Sequence, residues 1–151
     1  MELAAAFAVF GSIVAVVSAA FAKNLHFARH AEAVNGLNAI ADASIAYAEL
    51  HGGAFPPSAP MTPAVPPRGD EGDAPGLWDH VTWQALNFKP VPDGEAHTFS
   101  FAYDNQGLGF KARAHQDRNH DGVWSTFELS GRWTGTQVIV DRHILSSMEL
   151  E

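Results

Sequence analysis

The chain has 151 residues, a formal net charge of −8 and 46% hydrophobic residues, enough for one domain with an appendage. Nine Lys and Arg against seventeen Asp and Glu argue against nucleic acid as a partner, because phosphate binding needs clustered cations. With no cysteine, neither a disulfide nor a thiolate site is possible.

The N-terminal stretch "MELAAAFAVFGSIVAVVSAAFA" carries a single charge, Glu2, ahead of an uncharged run from Leu3 to Ala22. As a helix that run would measure about 30 Å, the thickness of a bilayer's hydrocarbon core. A cleaved secretory signal is one reading, with Ala20-Phe21-Ala22 as its cleavage site, but no basic residue precedes the run. A plain membrane anchor is a second, although Lys23 and Arg29 lie on the wrong side of it for an exported domain. A third reading rests on residues 23 to 52. They contain no Pro, and Val34, Leu37, Ile40, Ala41 and Ala48 recur at helical spacing, opposite Glu32, Asn35, Asn38, Asp42 and Glu49. Gly36 weakens this helix without ending it, and Gly52-Gly53 ends it. The simplest expectation is one long helix, apolar in residues 1–22 and amphipathic in 23–52, leading into a domain over 53–151.

Residues 54–76 hold most of the prolines and predict an extended surface loop. "LWDHVTWQALNF", residues 77–88, predicts a short helix or turn that lays Trp78, Trp83, Leu86 and Phe88 on the core. Beyond Gly94 the period changes to two. "HTFSFAYD", "LGFKARAHQ", "WSTFELSGRW" and "TQVIVDRHI" predict antiparallel strands with Phe99, Phe101 and Tyr103 on one face. The expected class is α+β: a long N-terminal helix packed on a C-terminal antiparallel sheet of about four strands.

Between two of those strands lies "DRNHDGVWSTFE", which fits D-x-N-x-D-G-x5-E. Side-chain oxygens fall at Asp117, Asn119, Asp121, Ser125 and Glu128, Gly122 takes the sharp turn, and Val123 offers a carbonyl. Calcium is the ion this set suits. The flanking strands, in place of the usual helices, leave the role of Glu128 open, and an Asx-rich turn without metal is the alternative. His26 and His30 stand four apart but lack a carboxylate-and-His zinc motif. No nucleophile elbow, P-loop or dinucleotide fingerprint is present, so no enzymatic activity is expected.

Glu2-Leu3, the apolar run, Gly11 nine residues after the glutamate and the amphipathic continuation together resemble the type IV pilin and pseudopilin family. A helix-kinking Pro found in many pilins is absent, and Ala19 stands near its place. The resemblance implies that Glu2, Leu3 and Gly11 serve assembly, with Glu2 pairing to a neighbouring subunit's N-terminal amine. It implies a structural subunit held in the inner membrane before assembly, handled by pilus or secretion machinery, and polymerised with itself into an extracellular filament on a bacterial surface. A major pseudopilin of type II secretion is the alternative within the family. A monomeric, membrane-anchored calcium-binding module is the alternative outside it.

Overall fold

A computed structural model describes residues 30–70 and 72–147. The chain divides into two compact units, Met1–Ala31 and Glu32–Glu151, and the second holds nearly all that is described. Glu2, Leu3, Gly11 and the apolar run lie outside the described residues. Among those that are described, no helix is long and apolar enough to cross a membrane.

Helix α1 covers residues 30–50. It buries Ala33, Leu37, Ile40, Ala41, Ser44 and Ala48, while Asn35, Ala39, Asp42, Ala46 and Glu49 face outward. That is the three-and-four spacing of a helix with one apolar face. It ends where Gly52 and Gly53 take positive φ (64° and 91°), which lets the Gly53 N–H close on the Ala48 carbonyl at 2.8 Å.

The strands are β1 (Ala59–Thr62), β2 (Ser100–Asn105), β3 (Gly109–Gln116), β4 (Ser125–Trp133) and β5 (Val138–Ser147), with the short helix α2 (Val81–Ala85) between β1 and β2. They form one five-stranded sheet in chain order, every neighbouring pair antiparallel. The inner face follows the alternation of the sequence. Phe101, Ala114 and Phe127 share one cross-strand row, and Tyr103, Ala112 and Leu129 the next. Small side chains in the middle strand leave room for the rings beside them, and this face joins Leu37, Ile40 and Ala41 in one core.

The expected long N-terminal helix on about four strands is corrected on both counts. The described helix is the 30–50 segment, and the sheet has five strands, not four. The additional strand, β1, lies inside the Pro-rich segment that predicts only loop. It pairs Ala59 with Tyr103 and Thr62 with Phe101, with an irregularity between. Proline is tolerated there because β1 is an edge strand, where a missing N–H breaks no ladder on the open side. Side chains hold it in place: Asn105 Nδ2 donates to the Phe55 and Pro56 carbonyls, Thr82 Oγ1 to the Pro57 carbonyl at 2.6 Å, and Trp83 Nε1 to Thr62 Oγ1 at 3.0 Å. Trp78, Trp83, Leu86 and Phe88 are all buried, with Trp78 tilted against Trp83 and Phe88 edge-on to Phe101.

Helix α1 and the segment before α2 both meet the residues that lead into β2. Glu32 of α1 accepts from the Thr98 N–H (2.9 Å), the Thr98 hydroxyl (2.8 Å) and the Phe99 N–H (3.1 Å). These bonds satisfy backbone donors just ahead of β2 and fix the helix on the sheet. Beside them His97, its side chain fully buried, places Nε2 2.8 Å from Asp73 Oδ2 and Nδ1 2.9 Å from the Phe99 carbonyl. Trp78 Nε1 donates to the same Asp73 oxygen at 2.6 Å.

Candidate metal centre

Strand β3 ends at Gln116 and β4 begins at Ser125, so the spacing-defined loop is the turn between two paired strands. Two residues in it adopt left-handed backbone, His120 (φ 60°) and Gly122 (φ 86°). At Gly122 the missing Cβ makes that turn cheap.

The first aspartate is the one drawn inward. Asp117 is only 8% exposed. Its Oδ2 accepts the Gly122 N–H at 3.1 Å, across the loop. Its Oδ1 is buried and has no hydrogen-bond partner. Asn119 and Asp121 sit at the exposed rim and hold each other: Asn119 Nδ2 donates to Asp121 Oδ2 at 3.1 Å, and the Asp121 N–H donates to Asn119 Oδ1 at 3.2 Å. Asp121 Oδ1 accepts the Val123 N–H at 2.7 Å. Ser125 is buried at the start of β4. Among the described residues there is no group of three or more His, Asp or Glu suited to a metal. The loop offers two carboxylates, with an amide and backbone oxygens for the rest.

Glu128 is placed elsewhere. It stands in β4 opposite Arg113. Its Oε2 accepts from Arg113 Nε at 3.1 Å, and Oε1 lies 2.6 Å from Lys111 Nζ. Arg113 in turn donates from Nη1 to Asp104 at 2.7 Å, so four charges of alternating sign cross three strands. The motif's spacing brings Asp117, Asn119, Asp121, Gly122 and Val123 into one turn but does not bring Glu128 to it. A helix after the loop would swing that carboxylate back; a strand carries it along the sheet.

Partial burial acts to raise the Glu128 pKa, but the hydrogen bonds and charges of Lys111 and Arg113 outweigh it and hold the carboxyl below its ordinary 4.5. A carboxylate with a lowered folded-state pKa contributes stability above its unfolded pKa and loses that contribution as pH falls through the lowered value. Wild-type protein is therefore expected to be more stable than Glu128→Gln at neutral pH, with the gap closing as pH drops below the ordinary carboxylate range. Paired urea titrations from neutral pH down through the acid range check this, and a gap that does not depend on pH would contradict it. His115, which rests on Trp124 and bonds Thr126 Oγ1 at 2.9 Å, is shifted downward by burial and then by Arg113.

Set against protein-family models, curated proteins and solved structures, the chain matches none.

Proposed function

We propose that the chain is a structural subunit of an extracellular, type IV pilus-like filament on a bacterial surface, polymerised through its apolar N-terminal segment. One observation carries this reading: a lone carboxylate, Glu2, heads an uncharged run to Ala22, and a helix with one buried face lies beyond it over residues 30–50. A carboxylate at the tip of a run suited to hydrocarbon is costly unless a cation meets it. A neighbouring subunit's N-terminal amine supplies that cation, and the pairing sets the axial register. The apolar runs then bury one another, and the acidic domains remain outside. Before assembly the same run holds the subunit in the inner membrane, where pilus or secretion machinery takes it up.

Electron microscopy of material sheared from cells expressing the chain tests the proposal. Uniform fibres composed of this protein are the expected result, and protein recovered only as membrane-bound monomer would overturn it. Glu2→Ala is expected to leave the domain over residues 32–147 folded and the chain membrane-inserted, while fibre yield falls sharply. Unchanged fibre yield from that variant would remove the register role from Glu2.

A further inference from the structure

The Asp117 carboxylate is the one acidic group in the β3–β4 loop drawn out of solvent, and half of its hydrogen-bonding capacity is unused. Oδ2 is oriented by the Gly122 N–H, and Oδ1 is left buried with no partner. Buried polar atoms are nearly always satisfied in native proteins, so an orphaned carboxylate oxygen calls for a donor or a cation. Three backbone donors of the loop are already engaged: Gly122 N–H to Oδ2, Asp121 N–H to Asn119 and Val123 N–H to Asp121. What the same turn has in surplus is oxygen. Asn119 and Asp121 present side-chain oxygens from exposed positions two residues apart, and carboxylate and carbonyl oxygens accept more than one partner each.

We propose that this turn binds one calcium ion through Asp117 Oδ1, the side-chain oxygens of Asn119 and Asp121 and the Val123 carbonyl, with Glu128 outside the ligand set. The donors are all hard oxygens, which suits calcium over zinc or copper. Two carboxylates supply less charge than a full helix–loop–helix site, and water completes the shell. Affinity therefore falls in the weak range of extracellular modules, with Kd about 10⁻⁴–10⁻³ M. Magnesium competes poorly, because it demands tighter octahedral geometry and gives up its water reluctantly. The site stands independently of the filament reading: a chain that forms no fibres still binds the ion.

Terbium, an oxygen-seeking ion of similar size to calcium, is the probe, since Trp124 adjoins Val123 and sensitises its luminescence. Full-length protein in detergent micelles is expected to give a saturable terbium signal that calcium displaces at about 0.1–1 mM and equimolar magnesium does not. Asp117→Asn and the exposed Asp121→Asn are each expected to weaken calcium at least about tenfold, whereas Glu128→Gln leaves it unchanged. Asp121→Asn keeps the test decisive if the buried Asp117 variant folds poorly. No saturable signal, or unaltered calcium affinity in Asp121→Asn, would overturn the site. A loss in Glu128→Gln equal to that in Asp121→Asn would overturn the proposed ligand set.

Discussion

Replacing His97 with alanine is expected to cost the fold about 2–4 kcal/mol, from a cavity and from buried polar groups left without partners. The ring is fully buried and lies between the Asp73 carboxylate at 2.8 Å and the Phe99 carbonyl at 2.9 Å, with Glu32 3.9 Å from Nδ1. Without it, Asp73, whose side chain is 10% exposed, keeps the Trp78 indole as a donor but loses its partner on the sheet side. The segment before α2 and the start of β2 then lose a shared anchor. Urea denaturation monitored by tryptophan fluorescence reads the effect directly, since Trp78 sits 6.2 Å from the His97 ring. His97→Gln, which keeps an amide donor in the site, is expected to recover part of the loss. A midpoint for His97→Ala matching that of a surface substitution would mean the network is not structural.

Gly36→Ala is expected to destabilise the domain by about 1–3 kcal/mol through overpacking, although alanine favours a helix over glycine by about 1 kcal/mol. Sterics decide the sign. A Cβ at residue 36 would stand 2.4 Å from Phe101 Cζ and 2.5 Å from Cε1. The Phe101 ring has no room to retreat: it is fully buried, edge-on to Phe88 at 5.2 Å and tilted against Trp78 at 6.4 Å. The helix must therefore lift or the ring leave its rotamer, and either strains contacts that Leu37 and Ile40 make with the same core. Phe101→Leu in the Gly36→Ala background is expected to restore part of the stability by shortening the obstructing side chain. Ala39→Gly, on the exposed face of the same helix, is the control for propensity alone and is expected to cost about 1 kcal/mol. A Gly36→Ala protein more stable than wild type would show that propensity outweighs the contact.

The inner faces of β2, β3 and β4, the buried stripe of α1 and the turn at Asp117–Val123 were legible in the sequence, because each is written in residues a few positions apart. A period of two places Phe99, Phe101 and Tyr103 on one side of a strand whatever the rest of the chain does. Spacings of three and four do the same for Leu37, Ile40, Ala41 and Ala48, and alternating oxygens ahead of Gly122 bend the chain into an acidic turn. Tertiary structure alone decided the rest. Strand β1 exists because β2 offers an edge and Asn105, Thr82 and Trp83 reach across to hold a proline-rich segment against it. Gly36, locally a weak point in a helix, is required where Phe101 meets the backbone. Glu32 reads as one polar residue among several on the helical wheel, yet it satisfies amides 66 and 67 residues away, and His97 meets Asp73 across 24. Glu128 fits the spacing of a calcium ligand, but the strand it occupies places it between Lys111 and Arg113. Local patterns fix which way a side chain points along its own element. Which donor, ring or charge it meets depends on the backbone that long-range packing brings opposite, and no spacing within a single element encodes that.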